Sequence, residues 1–336
     1  MLLPKAVIPA ARLPLALLPT PLRLLERFSS TLEGPRIWIK RDDLSECSAS
    51  GNKIRKLEFV FAKAIADGCT AVITCGGLQS NHCRTTAILA AQLGLKCILI
   101  LRGSPPTQVT GNTFIDALAG AEIHYHPTPT YQKQLSNLLT EAQVKLAAGG
   151  DKAMIIPTGA SDGIGAWGYI NAAFELKDDF QKQGITPAAI IHATGSGGTQ
   201  AGLILGMHLN KLNTPIYGVN VCDDGQYFQQ KIREDCLQWQ ENYDPDGVVD
   251  INALAIHVIE GYIGPGYGKA SAEVFSLIKE VAQCEGIILD PCYTGKAFLA
   301  LVEEIKKGRF NDCQDVVFIH TGGIFSNYAY LDQHTL

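Results

Sequence analysis

Ser50-Gly51-Asn52-Lys53-Ile54-Arg55-Lys56-Leu57-Glu58 is the segment from which the organisation of this chain can be worked out. Apolar residues recur at helical spacing after Asn52, at Ile54, Leu57, Val60, Phe61, Ala64 and Ile65. Asn52 can cap a helix N-terminus, and Gly68 lies where a left-handed C-cap would end the helix. The pattern predicts a helix with Lys53 in its first turn.

The position of Lys53 predicts an unusually low pKa for its side-chain amine. A helix N-terminus carries partial positive charge, and Arg55 and Lys56 are close in sequence. Both effects disfavour the ammonium form and should lower the pKa of Lys53. A neutral amine is what Schiff-base chemistry requires. The alternative is a solvated lysine on a surface helix, and this segment taken alone favours that alternative.

Length and composition limit the class of protein. A chain of 336 residues exceeds what one hydrophobic core usually holds, so we expect two domains. Hydrophobic residues make up 46% and charged residues 18%, which is typical of a globular protein. The net charge of −5 and the absence of a Lys/Arg-rich run argue against nucleic-acid binding.

The cysteines and the N-terminal residues bear on location. The ten cysteines include no Cys-x-x-Cys pair, which favours reduced thiols in a cytoplasmic protein, and we expect no bound metal. Prolines and arginines interrupt the apolar first thirty residues, unlike a signal peptide. No apolar run reaches the length of a membrane-spanning helix.

Strands and helices are predicted to alternate along most of the chain. The predicted strands are 36–40, 71–75, 95–101, 122–125, 153–157, 188–193, 216–221 and 316–320. The predicted helices after the Lys53 helix are 85–93, 112–119, 131–147, 200–209, 226–238, 269–284 and 296–307. Residues 159–166 are rich in small residues and interrupt this order, so we expect the chain to cross between domains there. The alternation predicts α/β domains built on mostly parallel sheets flanked by helices.

Thr194-Gly195-Ser196-Gly197-Gly198-Thr199 lies between a predicted strand and a predicted helix. Glycines let the backbone wrap closely, and a helix N-terminus offers free N–H groups to an anion such as phosphate. The segment has neither the Gly-Lys-Ser/Thr of a P-loop nor the Gly-x-Gly-x-x-Gly of a dinucleotide site. A glycine-rich turn without a ligand is the alternative, but the strand–loop–helix context favours an anion site.

Other small-residue segments also lie where ligands gather, beyond the carboxyl ends of strands. Gly76-Gly77-Leu78-Gln79-Ser80-Asn81-His82 suits a carboxylate or an aromatic hydroxyl, or it is a simple capping loop. Three further segments each allow an ordinary turn: Gly261-Tyr262-Ile263-Gly264-Pro265-Gly266-Tyr267-Gly268, Leu289-Asp290-Pro291-Cys292-Tyr293-Thr294-Gly295-Lys296 and His320-Thr321-Gly322-Gly323. We expect His192 and His320 to be packed rather than catalytic.

Taken together, these segments and Lys40-Arg41-Asp42-Asp43 resemble the pyridoxal-phosphate enzymes of the tryptophan synthase β fold type. The specific resemblance is to the family of D-cysteine desulfhydrases and aminocyclopropane-carboxylate deaminases. It implies two mostly parallel α/β domains with the active site in the cleft between them. It also implies a larger cofactor-binding domain of residues 1–50 and 160–336, a smaller inserted domain of residues 51–159, and a homodimer.

The resemblance implies a role for each site residue. Lys53 would carry the cofactor, Asn81 would bond its 3′-hydroxyl and Thr294 would meet its ring nitrogen. The phosphate would be held by Gly195, Ser196, Gly197, Gly198 and Thr199, with Lys56. The catalytic residues would be Lys53, Ser80, Tyr267 and Tyr293. The substrate would be bound by Gln79, Ser80, Asn81, His82 and Thr321.

Two positions favour one activity within this family. The deaminase pattern has Glu after the tyrosine and Leu after the final histidine, where this chain has Thr294 and Thr321. A hydroxyl at the ring nitrogen makes a weaker electron sink, which suffices for β-elimination. The resemblance thus favours conversion of D-cysteine to pyruvate, hydrogen sulfide and ammonia. The alternatives are the deaminase, a related elimination such as L-cysteate sulfo-lyase or D-serine dehydratase, and a binding protein without turnover.

Overall fold

The computed structural model describes residues 3–334. The strands are β1 (Leu22–Leu24), β2 (Arg36–Lys40), β3 (Ala71–Gly77), β4 (Lys96–Arg102), β5 (Glu122–His126), β6 (Ala153–Ile155), β7 (Ile190–Thr194), β8 (Ile216–Asn220), β9 (His257–Ile259) and β10 (Asp315–Ile319). The helices are α1 (Glu26–Ser29), α2 (Asn52–Ala66), α3 (Asn81–Gln92), α4 (Gly111–Leu118), α5 (Thr128–Ala148), α6 (Trp167–Gln183), α7 (Gly198–Leu209), α8 (Gly225–Tyr243), α9 (Ala272–Glu285) and α10 (Thr294–Lys306).

The strands form two sheets. One has six strands in the order β1-β2-β10-β7-β8-β9, in which the β1–β2 pair is antiparallel and the other pairs are parallel. The other has four parallel strands in the order β5-β4-β3-β6. Strands β3, β7 and β10 are buried along their whole length, as is typical of parallel strands covered on both faces. The predicted α/β fold class is confirmed.

Helices cover both faces of each sheet. In the six-stranded sheet, α6, α7 and α8 pack on one face around Trp167 and Trp239, whereas α9 and α10 pack on the other around Phe298. In the four-stranded sheet, α2 and α3 cover one face and α5 covers the other. The domain boundaries at residues 50 and 159 stay a prediction.

Several local expectations were wrong. Gly51, at φ +108°, precedes the first residue of α2, and Asn52 is that first residue, so Asn52 does not cap the helix. Gly76 and Gly77 belong to β3 rather than to the following loop. Helix α6 and strand β9 were missed. The apolar residues of α6 do recur at helical spacing, at Trp167, Ile170, Ala173, Leu176 and Phe180, so the sequence contained the signal.

A buried network of charges fixes α2 against the rest of the chain. Arg55 donates from Nε and Nη2 to the Asp42 carboxylate, at 3.0 and 2.8 Å, and from Nη1 to Glu175 on α6, at 2.9 Å. Burial by itself would raise the pKa of Asp42, but the Arg55 guanidinium outweighs it, so the pKa is lowered. The ion pair therefore ties α2 to the segment after β2 and to α6.

Replacing Arg55 by Met should lower the free energy of unfolding by about 3–5 kcal/mol, because Asp42 then stays buried without its cation. Urea unfolding would measure the change. Lys63→Met is the control, since Lys63 is exposed, its partner Asp67 is partly exposed and the pair is worth about 0.5 kcal/mol or less. Equal effects of the two substitutions would contradict this account of α2.

No helix within residues 3–334 combines the length and the apolar character needed to cross a bilayer. The ten cysteines are free thiols, and His192 and His320 are fully buried, as expected of packed histidines.

Candidate active site

A cavity of about 580 Å³ lies where the carboxyl ends of β3 and β7 meet, so both sheets contribute to its wall. This volume is typical of a small-molecule site. The structure brings most of the predicted site residues together on this wall. They are Lys53, Ser80, Asn81, His82, Gly195, Ser196, Gly197, Thr199, Tyr267, Tyr293 and Thr321.

Four predicted residues lie behind the wall instead. Lys56 and Gly198 are buried and do not line the cavity. The Gln79 amide donates to the Thr110 carbonyl at 3.1 Å and accepts from the Asn112 N–H at 2.8 Å. The Thr294 hydroxyl donates to the Asp290 carboxylate and accepts from its N–H, each at 2.8 Å. The geometry therefore gives no support for the contacts expected of Gln79 and Thr294.

Lys53 presents an amine without a partner to the cavity. In the described part of the chain, its Nζ makes no hydrogen bond or ion pair, although it lies close to Gly159. Burial lowers its pKa to about 8. The direction agrees with the sequence prediction, but the expected influence of Arg55 was wrong, because Arg55 is bound to Asp42 and Glu175. A larger fraction of Lys53 than of a solvated lysine is therefore a free nucleophile near neutral pH.

Backbone contacts hold the first turn of α2 at the end of β10. Asn52 N–H donates to the Thr321 carbonyl at 3.0 Å, and the Asn52 side chain donates to Thr199 Oγ1 at 3.0 Å. A Cβ on Gly51 would lie 2.5 Å from the Thr321 carbonyl oxygen, so a larger residue would push the helix away. These contacts place Lys53 beside Thr321 and beside the glycine-rich segment after β7.

The segment from Gly195 to Thr199 has the properties of a phosphate site. Gly197 adopts φ +86° and turns the backbone into α7, where the Gly198 N–H donates to Ser161 Oγ at 3.2 Å and the positive end of the helix favours an anion. A Cβ on Gly198 would lie 2.9 Å from Lys56 Nζ, so the absence of a side chain lets a buried amine lie directly behind the turn. Burial and then the Lys53 charge lower the pKa of Lys56 well below its usual value. An anion in the turn would restore the ammonium form.

Sequence reasoning missed the polar residues that support this turn. Ser161 Oγ lies 2.8 Å from Ser196 Oγ and accepts from Lys56 Nζ at 3.2 Å. Lys231 on α8 donates to the Ser161 carbonyl at 3.1 Å and pairs with the buried Asp235. A Lys–Asp pair four residues apart is common on helices, so this spacing does not indicate that the pair reaches the site.

His82 is uncharged in this site. Thr74 Oγ1 donates to the Ile156 carbonyl at 2.8 Å, so it must accept from His82 Nε2, which lies 2.7 Å away. Burial and the nearby Lys53 and Lys56 lower the pKa of His82 well below its usual range. His82 therefore presents a neutral ring, with Nδ1 unpaired among the described residues.

The two predicted tyrosines form a pair. Their hydroxyl oxygens are 2.5 Å apart, and the Arg102 guanidinium lies 5.0 Å from the Tyr267 ring centroid. Lys296 holds the loop that carries Tyr267 by donating to the Ile263 and Gly266 carbonyls at 2.7 and 2.8 Å. Burial raises the pKa of Tyr267 and of Tyr293, so both hydroxyls stay protonated and can donate a proton.

This donor set fits pyridoxal phosphate. The turn after β7 suits its phosphate, the unpartnered Lys53 amine suits its aldehyde, and the Asn81 amide on the wall suits a ring oxygen. Burial on the wall excludes bulk water from most of these groups. The residues present therefore match the cofactor that the resemblance implies.

Residues 13–322 match the family described as "Pyridoxal-phosphate dependent enzyme". A Thermotoga maritima protein with a provisional name as 1-aminocyclopropane-1-carboxylate deaminase is 41% identical over 95% of this chain and 98% of its own. A mitochondrial Arabidopsis thaliana enzyme, a bifunctional D-cysteine desulfhydrase/1-aminocyclopropane-1-carboxylate deaminase, is 37% identical over 97% of this chain and 81% of its own. The crystal structure of an ACC deaminase homologue aligns at TM-score 0.85 and 33% identity, over 97% of this chain and 95% of that chain.

Replacing Lys53 by Met should stabilise the cofactor-free protein, and by more at pH 7 than at pH 10. The folded-state pKa of about 8 lies below the value of about 10.4 for an unfolded lysine. Between these values the unfolded state binds more protons, so stability rises with pH as the cost of burying the ammonium form disappears. Urea midpoints of both proteins at the two pH values would measure this. A gain that does not depend on pH would contradict it.

Proposed function

Since this chain belongs to the family of pyridoxal-phosphate dependent enzymes, as a lyase, we propose that it eliminates hydrogen sulfide from D-cysteine. The balanced reaction is D-cysteine and water to pyruvate, hydrogen sulfide and ammonia. The observation that carries the proposal is that an unpartnered lysine amine and a protonated tyrosine pair lie on the wall of one cavity. An elimination needs both a base at the α-carbon and an acid at the leaving group.

The cofactor, when bound, supplies an electron sink for the charge released at the α-carbon. Lys53 removes the α-proton, because its pKa of about 8 leaves it partly unprotonated near neutral pH and able to hold the proton afterwards. Gly195 to Thr199, with the buried Lys56 behind them, would hold the phosphate of the cofactor. The neutral His82 adds no positive charge that would lower the basicity of Lys53.

The substrate carboxylate binds at the start of α3. Ser80 precedes this helix, and its hydroxyl oxygen accepts from the Cys83 N–H at 3.2 Å, so its own O–H remains available as a donor. The positive end of α3 favours a negative group at the same point. These donors would orient the amino acid with its α-carbon toward Lys53.

Tyr267 and Tyr293 protonate the departing sulfur. The Cβ–S bond breaks with both electrons going to sulfur, and one tyrosine hydroxyl provides the proton. The other hydroxyl, 2.5 Å away, stabilises the resulting phenolate by donating to it. The nearby Arg102 charge also favours that phenolate.

A deaminase of the cyclopropane amino acid is the second candidate. The names of the Thermotoga maritima relative and of the aligned crystal structure favour it. Thr294 and Thr321, which stand where the deaminase pattern has Glu and Leu, favour the elimination. Measuring keto acid and sulfide from D-cysteine, L-cysteine, L-cysteate and the cyclopropane acid separates these activities. Release of keto acid from the cyclopropane acid alone would overturn the proposal.

We also propose a cytoplasmic homodimer in which residues 1–50 and 160–336 form the larger domain and residues 51–159 the smaller. The ten free thiols support a reducing compartment. The four-stranded sheet, which lies within residues 71–155, supports the division. The dimer rests on the resemblance, and light scattering of the purified protein would test it.

Replacing Lys53 by Ala should abolish both the visible absorbance of the bound cofactor and the release of sulfide, because the covalent attachment and the base are lost together. Absorbance spectra and a sulfide assay on D-cysteine measure the two effects. Lys63→Ala, on the exposed side of the same helix, should change neither. Full activity of the Lys53 variant would remove this residue from the mechanism.

Replacing Tyr293 by Phe should lower kcat for D-cysteine by a factor of about 10²–10⁴, the range for loss of a general acid, with a smaller change in KM. Tyr267→Phe should have an effect in the same direction. The exposed Tyr328→Phe is the control. If both hydroxyls can be removed without a change in kcat, another group protonates the sulfur.

A further inference from the structure

A closed set of hydrogen bonds lies behind Asn81. Arg84 Nη1 donates to Asn81 Oδ1 at 3.0 Å and to Asn112 Oδ1 at 2.9 Å. Asn112 Nδ2 donates to Asn81 Oδ1 at 3.0 Å and to the Gln79 carbonyl at 2.9 Å. Arg84 and Asn112 are fully buried, so no water competes for these bonds.

The chemistry of arginine fixes which way the Asn81 amide faces. A guanidinium has donors and no acceptor, so the Asn81 and Asn112 atoms that contact Arg84 must be oxygens. The second bond to Asn81 Oδ1, from Asn112 Nδ2, has the same requirement. A flipped Asn81 would place its NH₂ group against two donors in a buried site, at a large cost. The Asn81 carbonyl therefore points inward.

The other end of the Asn81 amide faces the cavity. Asn81 lies on the cavity wall, and its Nδ2 makes no hydrogen bond to the protein within residues 3–334. Its two N–H groups are thus the donors that this residue offers to a ligand. A ligand atom opposite Asn81 must be a hydrogen-bond acceptor.

The charge of Arg84 strengthens this donor. Within residues 3–334 Arg84 forms no ion pair and donates instead to Asn81, Asn112 and Ser50, and burial lowers its pKa to about 10, so it remains charged near neutral pH. A positive charge against the carbonyl polarises the amide and makes its N–H groups better donors. Arg84 Nη2 also donates to the Ser50 carbonyl at 2.6 Å, two residues before α2. The same side chain therefore positions the Asn81 amide and the entry to the Lys53 helix.

We propose that Arg84 and Asn112 are positioning residues that lock the Asn81 amide with its donor toward the ring oxygen of the cofactor, so that the site selects the deprotonated form of that oxygen. The inference rests on the proposed contact of Asn81 with the cofactor. Neither Arg84 nor Asn112 touches the ring, and both act through Asn81.

The dissociation constant of pyridoxal phosphate, titrated into the cofactor-free full-length protein, tests the lock without any substrate. Asn112→Ala removes one of the two bonds to Asn81 Oδ1, so it should weaken cofactor binding by about two- to tenfold, the factor equivalent to one hydrogen bond. Asn81→Asp keeps both acceptor contacts but has no donor for the cavity. It should bind the cofactor more weakly than Asn112→Ala while unfolding at the wild-type temperature or above.

Absorbance of the bound cofactor gives a second readout. The pH at which the visible band changes should shift when the Asn81 donor is removed or loses its orientation. The shift should be largest in Asn81→Asp, where a carboxylate replaces the donor, and smaller in Asn112→Ala. Arg84→Lys keeps the charge but cannot reach both asparagines and Ser50 with a planar fork, so it should also shift this pH.

Asn210→Ala is the matched control, since Asn210 is a buried asparagine that donates to the Gly206 carbonyl at the end of α7 and does not line the cavity. It should change thermal stability but neither the cofactor titration nor the spectrum. If Asn112→Ala and Arg84→Lys behave like Asn210→Ala, the lock is refuted and the residues are merely structural. If the wild-type protein does not bind the cofactor, the proposed function is refuted and the lock with it. If it binds the cofactor but leaves D-cysteine intact, only the proposed substrate is refuted, and the cofactor titrations still test the lock.

Discussion

The ion pair between Arg55 and Asp42 is the constraint on which the arrangement of the site depends. This ion pair orients helix α2 so that its two sides have different roles. Arg55 binds Asp42 and Glu175, and Glu58 accepts from Arg12 and from two backbone N–H groups of the N-terminal arm. Lys53 and Lys56, three residues apart, then lie together on the opposite side, toward the cavity and the phosphate turn. The charged residues that anchor the helix are thus on one side, and the lysines that belong to the site are on the other.

The site keeps its positive groups short of full charge. Burial lowers the pKa of Lys53, Lys56 and His82, and the two lysines lie close enough for their charges to repel. A site built this way gains from an anion more than a solvated site would, because the anion both binds and relieves the repulsion. The lowered pKa of Lys53 also explains how this lysine can act as a base beside Lys56. Stability is given up at the place where function needs a neutral amine.

Much of the fold and of the site could be predicted from sequence, because their signals are local. Helical spacing after Asn52, alternation of strands and helices, and glycines beyond strand ends all depend on neighbouring residues. Several errors come from contacts between distant segments. The pKa of Lys53 is lowered by burial, which the sequence around it does not encode, and Arg55 was expected beside it but is paired elsewhere. The Thr294 hydroxyl is taken by Asp290 in a turn whose geometry the motif alone did not reveal. The support from Arg84 and Asn112 joins α3 to α4 and has no local pattern at all.

Helix α10 carries a consequence for how such a site can change over time. Tyr293 immediately precedes this helix, and Lys296, in its first turn, holds the loop that bears Tyr267. The distance between the two phenol rings therefore depends on the position of one rigid segment, helix α10. Divergence that alters the mouth of the cavity elsewhere leaves this pair intact, whereas a single shift of the helix would displace both rings together. New substrate preferences in such a scaffold would thus arise more readily by substitution of other cavity residues than by substitution of the two tyrosines.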